Sequence, residues 1–363
     1  MVAAGGTGGH IYPGLATADA VRTLDPSAAI TFIGTPRGLE QRLIPPAGYS
    51  LELVAMVPWR GARRAPGFAT AVLRASRQSG AVLKRLEADA VVAMGGYPSL
   101  PTVLAARRRG IPVVIHESGA IGGRANRLAA RFTPHVALSF ASAAASFPRR
   151  TPRVVGMPLS AEIAAFDRTA LRAEARAEYR MAEGQAMVLI TGGSQGSATL
   201  NSLAVGLGER WRERDDIRVV LKAGRDHADA VAAALAANGG DRVVRCVAYL
   251  DKMTTAYAAA DVAVSRAGAS TVAELATCGL PSILVPYPFS LDDDQGHNAK
   301  VLVDVGAAAL MRDPEAVADV VGPRLESWFA DPGVLQTMAA AANGAGHAHA
   351  ATTLARWVLD LAA

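Results

Sequence analysis

The chain has 363 residues, is 51% hydrophobic and carries a formal net charge of +5. This length predicts two domains, and the apolar fraction excludes intrinsic disorder. Two cysteines are too few for a disulfide framework or a cysteine-based zinc site, which favours a reducing, intracellular location. The sequence predicts neither a secretory signal nor a run of about 18–20 apolar residues, so we expect a soluble or peripheral protein.

The charge is unevenly distributed between the two halves. Residues 1–156 contain 19 basic and 7 acidic side chains (+12), whereas residues 157–363 contain 18 and 25 (−7). This asymmetry predicts that the first half meets an anionic partner such as phosphate or a membrane surface. Arginine makes up 33 of the 37 basic residues. A genome bias would explain that preference, but not the position of the excess.

Short β-branched runs alternate with Ala/Leu-rich helical stretches, which is typical of α/β units on parallel sheets. Val2–Ala4 is a short run for a first strand. The further predicted strands of the first half are 29–33, 51–54, 90–94, 112–116 and 135–138. The predicted helices are 14–24, 38–44, 68–86, 99–109 and 123–131.

A charged helical stretch, 161–182, leads into a second series of the same kind. Its predicted strands are 187–191, 217–221, 243–247, 261–264 and 282–285. Its predicted helices are 197–212, 227–237, 253–259, 271–278, 296–304, 315–329, 332–342 and 350–362.

The pattern G-G-[S/T]-x-G occurs once in each half, at Gly5–Gly9 and at Gly192–Gly196, between a strand and a helix. Such loops bind phosphate through bare N–H groups and the helix dipole, although a tight strand–helix turn would have the same composition. Neither loop matches a nicotinamide or P-loop fingerprint. Two α/β domains with matched loops predict an anionic ligand in a cleft between them.

His10 directly follows the first loop, where the helix dipole favours a neutral imidazole that accepts a proton. Glu117, after His116 at the end of another strand, is a second catalytic candidate. A third loop, Gly95-Gly96-Tyr97, is either a second diphosphate site or an ordinary turn.

The second half contains Ser265-Arg266-Ala267-Gly268-Ala269-Ser270-Thr271, with Glu274 three residues further on. Glu274 is predicted either to accept both hydroxyls of a ribose or to complete a capping box with Thr271. The run Asp292–Asp294 invites a metal interpretation, but a solvated acidic loop is the more ordinary one.

Residues 60–86 contain seven basic side chains and no acid. Apolar residues interleave with them, which predicts either contact with an anionic membrane or an ordinary amphipathic core helix. Nucleic acid is not expected, because aromatic residues are only 5% of the chain. The basic residues are Arg60, Arg63, Arg64, Arg74, Arg77, Lys84 and Arg85.

Together these segments resemble the MurG family, the undecaprenyldiphospho-muramoylpentapeptide β-N-acetylglucosaminyltransferases. The resemblance is carried by GGTGGHIYP from Gly5, MGGY from Met94, His116-Glu117, GGSQG from Gly192 and SRAGASTVAE from Ser265. It implies a GT-B fold, with two Rossmann-like domains whose parallel sheets face each other across a cleft. It also implies inverting transfer of GlcNAc from UDP-GlcNAc to the C4 hydroxyl of MurNAc in lipid I.

The same resemblance assigns roles by motif, with His10 as general base. It implies donor contacts from Thr7, Gly8, Gly9, Ser194, Gln195, Gly196, Leu250, Ala269, Ser270, Thr271, Glu274 and Gln295. Acceptor contacts are expected from Gly95, Gly96, Tyr97 and Asn126. Two positions depart from the family: Gly119 replaces an Asn, and Ser160 replaces an Arg.

The expected domains are an acceptor- and membrane-facing domain at 1–157, a UDP-sugar domain at 158–345, and a helix at 346–363 that packs back on the first. The expected partners are UDP-GlcNAc, lipid I, anionic phospholipids at the cytoplasmic membrane face, and other cell-wall synthesis proteins. No cofactor or protein-bound metal is expected, with a loosely bound divalent cation left open. The alternatives are a related glycosyltransferase with another donor or acceptor, a UDP-GlcNAc 2-epimerase, and a binding protein without catalysis.

Overall fold

The computed structural model describes residues 1–36, 38–56, 65–96, 98–193 and 195–363, with the side chains of residues 65 and 66 excluded. Contacts divide these residues into two compact units. Unit 1 is Met1–Ala164 with His347–Ala363, and unit 2 is Ala165–Gly346. The C-terminal segment therefore belongs to the same unit as the N-terminal one.

The described part of unit 1 is built on a seven-stranded, fully parallel sheet. The strands are β1 Val2–Ala3, β2 Thr31–Gly34, β3 Ser50–Leu53, β4 Val91–Ala93, β5 Val113–Glu117, β6 His135–Leu138 and β7 Arg153–Val154. Their spatial order is β3-β2-β1-β4-β5-β6-β7. The order reverses between β1 and β4, which is where ligands bind in open parallel sheets.

Helices flank this sheet because its central strands β1, β4 and β5 are buried on both faces. They are α1 Gly8–Leu24, α2 Glu40–Leu43, α3 Ala65–Arg85, α4 Ser99–Arg108, α5 Arg124–Ala129, α6 Ala161–Ala164 and α15 Ala350–Ala362. The last of these packs against α1. Leu354 and Val358 join Val2 and Ile11 in one hydrophobic cluster, so the C-terminal helix is part of the unit 1 core.

Unit 2 repeats this plan with a six-stranded parallel sheet in the order β10-β9-β8-β11-β12-β13. The strands are β8 Ala186–Thr191, β9 Ile217–Lys222, β10 Val244–Val247, β11 Val262–Ser265, β12 Ser282–Leu284 and β13 Ala308–Leu310. The order reverses between β8 and β11, again beside the glycine loop. Trp211, 1% exposed, lies in the core cluster of this unit.

The helices of unit 2 cover both faces of its sheet. They are α7 Arg168–Glu178, α8 Ala198–Trp211, α9 Ala228–Asn238, α10 Met253–Ala259, α11 Ala269–Thr277, α12 Asp294–Val303, α13 Ala318–Ala330 and α14 Pro332–Ala345. Within the described ranges, no helix is both long and apolar enough to cross a membrane.

The predicted alternation of strands and helices is confirmed, with local corrections. Strands β7 and β13 were not predicted, because each has only two or three residues and no β-branched run marks it. Helix α1 begins at Gly8 rather than at residue 14, because the glycine loop itself forms its first turn. The stretch 161–182 is two helices, and Asp167 begins the second by accepting hydrogen bonds from the amides of Thr169 and Ala170.

Candidate active site

The first glycine loop connects β1 to α1 and carries His10 on the first turn of the helix. Gly6 adopts φ +88°, a conformation that favours glycine. Thr7 is the exposed N-cap of α1, and its Oγ1 lies 3.3 Å from His10 Nδ1. The hydroxyl therefore contacts the nitrogen that sets the tautomer and orientation of the imidazole.

His10 packs beneath the third glycine loop, which follows β4. A Cβ atom at Gly95 would lie 3.1 Å from His10 Cδ2, and one at Gly96 would lie 3.3 Å from His10 Nδ1. Both glycines have positive φ, +100° and +77°. Burial lowers the pKa of His10 below 6.5, while a hydrogen bond to the Gly5 backbone opposes that shift. A neutral, half-buried imidazole at this position is suited to accept a proton.

Glu117 is engaged within its own loop. Its Oε1 accepts from the Gly119 amide at 3.0 Å, and its Oε2 accepts from the Gly123 amide at 2.8 Å and Asn126 Nδ2 at 2.9 Å. Burial raises the pKa of Glu117, while these hydrogen bonds lower it. This geometry favours a role in shaping the loop after β5, and a catalytic role stays a prediction.

Asn126 lies under Gly95 and is only 4% exposed. Its Nδ2 also donates to the His116 carbonyl at 3.0 Å, while its buried Oδ1 forms no hydrogen bond with any residue that the structure describes. His116 is fully buried, its Nε2 lies 3.0 Å from the Gly156 carbonyl oxygen, and burial lowers its pKa to about 4. Asn126 therefore links the end of β5 to the glycine loop that packs on His10, and acceptor binding by Asn126 stays a prediction.

The second glycine loop connects β8 to α8 and packs backbone to backbone on the turn after β9. A Cβ atom at Gly196 (φ +79°) would collide with the Ala223 carbonyl oxygen. Gly193, in contrast, has φ +87° and open space around it. Gln195 is exposed, and the loop ends at Ser197, which caps α8 through the Leu200 amide. The loop thus presents backbone at a helix N-terminus, as an anion site requires.

Glu274 lies on α11 with two polar neighbours that the sequence did not suggest. The Tyr257 hydroxyl donates to its Oε2 at 2.6 Å. Lys222, 8% exposed at the end of β9, interacts electrostatically with it. Burial raises the pKa of Glu274, while Tyr257 and Lys222 lower it. The only sequence signal for Lys222 is a lysine that ends an apolar strand.

The capping-box interpretation of Thr271 and Glu274 is wrong. Helix α11 begins at Ala269 with Gly268 as its N-cap, so Thr271 is already inside the helix. Glu274 therefore does not cap α11, and its contact with a ribose stays a prediction.

The other predicted donor residues of unit 2 that the structure describes lie on loops after its strands or at helix starts. Ala269, Ser270 and Thr271 form the partly exposed first turn of α11, and Leu250 follows β10. Gln295 Oε1 accepts from the amides of Ala267 and Tyr287, which ties two loops together. Ser194 and Tyr97 lie outside the described residues.

Arg266 connects several loops of unit 2 through hydrogen bonds and an ion pair. Its Nη1 pairs with Asp313 Oδ1 and donates to the carbonyls of Val285 and Pro286 at 3.2 Å. Its Nη2 donates to Thr199 Oγ1 at 3.3 Å, and Thr199 in turn donates to Asp313 at 2.7 Å. The guanidinium therefore links the loop before α11 to the start of α8.

The basic segment of unit 1 is only partly described, because residues 57–64 lie outside the described ranges. Phe68, Val72 and Val82 of α3 pack on a core cluster, as an amphipathic core helix does. Arg74, Arg77 and Lys84 are exposed and form no ion pair with a described carboxylate, whereas Arg85 pairs with Glu52 at 2.8 Å. The exposed part of α3 thus carries basic side chains together with the apolar Leu73, which is 41% exposed.

Further arginines of unit 1 surround a cleft of about 720 Å³. Its lining contains no acidic residue and includes Arg127, Arg131, Arg149 and Arg150. In unit 2, Asp293 pairs with Arg312 at 3.2 Å. Across the described parts of the chain, no group of three or more His, Cys, Asp or Glu side chains has the geometry of a metal site.

Two family models match the chain. The glycosyltransferase family 28 N-terminal domain matches residues 1–138, and the family 28 C-terminal domain matches residues 187–354. Proteins of Mycobacterium bovis and a Nocardioides species are each 41% identical to it, covering 100% and 99% of this chain and 88% and 97% of their own. Both are named UDP-N-acetylglucosamine–N-acetylmuramyl-(pentapeptide) pyrophosphoryl-undecaprenol N-acetylglucosamine transferase.

Solved structures agree. The crystal structure of Acinetobacter baumannii MurG is 29% identical, with a TM-score of 0.81 over 99% of this chain and 98% of its own. A Neisseria meningitidis UDP-GlcNAc 2-epimerase has a TM-score of 0.71 over 99% and 98% of the two chains, but only 13% identity. The second likeness shows the fold alone.

Proposed function

Because this chain belongs to glycosyltransferase family 28 and has the GT-B fold, we propose that it transfers GlcNAc from UDP-GlcNAc to lipid I, forming lipid II for peptidoglycan synthesis. The observation that carries the proposal is that each unit has a glycine loop at the reversal point of its sheet. Beside one loop lies a neutral imidazole, and near the other lies a carboxylate. A transferase needs both a base and a nucleotide site.

Unit 2 is assigned the donor. The free carboxylate oxygen of Glu274 accepts the ribose hydroxyls, while Tyr257 fixes the other oxygen. Backbone N–H groups of Gly193–Gly196 and the N-terminus of α8 hold the diphosphate. The proposed donor site is completed by Gln195, Leu250, Ala269, Ser270, Thr271 and Gln295. Donor contacts from Thr7, Gly8 and Gly9 stay a prediction.

Unit 1 is assigned the acceptor and the base. His10 removes the proton from the C4 hydroxyl of MurNAc as that oxygen bonds to the anomeric carbon of GlcNAc. The bond from the anomeric carbon to the β-phosphate oxygen breaks on the opposite face, so the configuration inverts. UDP leaves with the electron pair, and oriented N–H groups stabilise its new charge. Gly95 and Gly96 border the acceptor.

The arrangement assigns charge stabilisation to the backbone, without a protein-bound metal. A loosely bound divalent cation on the diphosphate would add to this effect rather than replace it. Turnover should therefore persist after EDTA treatment, and its complete loss, restored by Mg²⁺, would contradict the assignment.

Peripheral binding to the anionic cytoplasmic face of the membrane completes the proposal. Its support is electrostatic: the exposed cations of α3 and the arginine-lined cleft lie in the basic unit, while Phe68, Val72 and Val82 of α3 pack on a core cluster. Vesicles containing phosphatidylglycerol should therefore sediment the protein at low salt and release it at high salt. Replacing Arg74, Arg77 and Lys84 with Gln should weaken sedimentation, whereas replacing the exposed Arg225, Arg242 and Arg245 of unit 2 should not.

The test of the main proposal is turnover of purified protein with radiolabelled UDP-GlcNAc and a lipid I analogue, with UDP-GalNAc and UDP-glucose as competing donors. Transfer from UDP-GlcNAc alone is the expected result, and it would show that Gly119 and Ser160 are tolerated. Transfer from a competing donor, or UDP binding without any transfer, would contradict the proposal.

A further inference from the structure

A second buried carboxylate lies directly behind the first glycine loop. Glu40, in the first residue of α2, is 0% exposed. Its Oε1 accepts three hydrogen bonds, from the Gly6 amide at 3.1 Å, the Thr35 amide at 3.1 Å and Thr35 Oγ1 at 3.0 Å. One oxygen therefore joins the loop after β1 to the loop after β2.

The surrounding backbone is shaped to admit this side chain. A Cβ atom at Gly5 or Gly38 would collide with the Glu40 carboxylate, and one at Gly34 would lie 2.7 Å from its Cγ. Two loop glycines and the last residue of β2 thus form a close-fitting cradle for one carboxylate. The second oxygen, Oε2, forms no hydrogen bond in the described structure. The hydrogen bonds of this carboxylate that the structure describes are therefore all made through Oε1.

The loop held by Glu40 is the loop that carries the imidazole. Gly6 is followed by Thr7, whose hydroxyl lies 3.3 Å from His10 Nδ1. On its other side, the Gly5 carbonyl oxygen supports Gly96, whose added Cβ would lie 3.0 Å from it. A shift of Gly5 and Gly6 would therefore displace both the Thr7 hydroxyl and Gly96, which are two of the groups that contact the His10 ring.

We propose that Glu40 is a positioning residue that fixes the first glycine loop and, through Thr7, the orientation of the His10 imidazole. The kinetic part of this inference rests on the proposed function, in which His10 accepts a proton. The structural part does not, because the orientation and exposure of His10 are measurable without turnover.

The test compares Glu40→Ala with Glu40→Gln. The Ala variant removes the acceptor, so kcat should fall about 10- to 100-fold while KM for UDP-GlcNAc stays within roughly twofold. The Gln variant keeps an oxygen at the Oε1 position and should retain kcat within about threefold. Thr102→Val, which removes a buried hydroxyl that contacts Ser79 at 3.2 Å elsewhere in unit 1, is the matched control and should leave kcat unchanged.

The second readout is the NMR titration of the His10 ring, assigned by comparison with His10→Asn. In Glu40→Ala the loosened loop admits water, so the His10 pKa should rise towards 6.5. In Glu40→Gln and Thr102→Val it should stay where the wild type has it. A merely structural contribution of Glu40 would lower the melting temperature without moving this titration.

Three outcomes would overturn the proposal. One is a folded Glu40→Ala variant with wild-type kcat and His10 titration. Another is a Glu40→Gln variant as impaired as Glu40→Ala, since the acceptor geometry would then not be the cause. If Glu40→Ala does not fold, Thr35→Val decides: it removes one of the three bonds, so unchanged kcat and unchanged His10 titration would refute the idea.

The proposed function and the role of Glu40 are tested independently. If the wild-type chain transfers no GlcNAc, that function is wrong, while the titrations of the Glu40 variants still decide whether this carboxylate positions His10.

Discussion

The Tyr257 hydroxyl donates a 2.6 Å hydrogen bond to Glu274 Oε2, so one oxygen of this carboxylate is fixed before any ligand arrives. Tyr257 is itself only 1% exposed, so the surrounding core restricts the movement of its side chain. The hydrogen bond restricts the rotation of the carboxylate, and Oε1 is the oxygen that we propose binds the ribose. A preorganised acceptor of this kind reduces the ordering cost of binding a diol.

This relationship predicts graded effects on UDP binding. Glu274→Ala removes a charged acceptor and should weaken UDP binding about 10- to 100-fold, while Tyr257→Phe removes only the orienting bond and should weaken it about 2- to 10-fold. Isothermal titration calorimetry measures both. UDP without ribose hydroxyls is the control ligand, because its affinity should be the same for wild type and Glu274→Ala. A difference with that ligand would mean that Glu274 does not bind the ribose.

We expect Lys222 to set the pH below which the proposed ribose site loses its affinity. Burial raises the pKa of Glu274 above 4.5, and the Lys222 ammonium lowers it. A diol donates to the ionised carboxylate, so affinity should fall as pH decreases through the Glu274 pKa. Lys222→Met removes the opposing charge, which should raise that pKa further and move the loss of affinity to a higher pH.

Uridine is the ligand for this titration, because it has no phosphate that ionises in the same range. Arg225→Gln is the matched control, since Arg225 lies over the same Tyr249 ring as Lys222, at 5.5 Å against 5.3 Å. The control should keep the wild-type midpoint. A Lys222→Met midpoint that does not move would show that the two charges are uncoupled.

His10 should be required for transfer but not for donor binding. His10→Ala should lower kcat about 10²- to 10⁴-fold. The affinity for UDP should barely change, because the proposed nucleotide contacts lie in the other unit. Since burial lowers the His10 pKa, the wild-type rate should decline at a lower pH than the titration of an exposed histidine would give. His349→Ala, at an exposed position, should behave as wild type, and full turnover by His10→Ala would remove His10 from this role.

Much of the site was predictable because its chemistry is local in sequence. The two glycine loops, His10 and Glu274 each follow a strand and sit at a helix start or on the helix that follows, so a strand–loop–helix pattern predicts their positions. That pattern depends on turns with positive φ, which the glycines at positions 6 and 196 already indicate in the sequence.

The supporting residues were not predictable, because their partners are distant in sequence. Glu40 looks like an ordinary helical acid until Gly6 and Thr35 surround it. Lys222 and Tyr257 meet Glu274 only through the order of β9, β8 and β11 in the sheet. Arg266 likewise pairs with Asp313, which lies in the turn after β13 and belongs to no sequence motif.

The second glycine loop offers a prediction in which two neighbouring glycines should differ. Gly193 and Gly196 both have positive φ, so alanine at either position costs about 1 kcal/mol in backbone strain. Only at Gly196 would the new Cβ also collide with the Ala223 carbonyl oxygen. Gly193→Ala should therefore lower the free energy of unfolding by about 1 kcal/mol, and Gly196→Ala by about 3 kcal/mol or more.

Urea denaturation measures both values, and Gly224→Ala tests the contact from its other side, since a Cβ there would collide with the Gln195 carbonyl oxygen. We expect Gly224→Ala to resemble Gly196→Ala. Equal stability of the Gly193 and Gly196 variants would mean that the loop does not rest on the turn after β9. Because that packing positions the N-terminus of α8, which we propose binds the diphosphate, a folded Gly196→Ala protein should also bind UDP more weakly than Gly193→Ala.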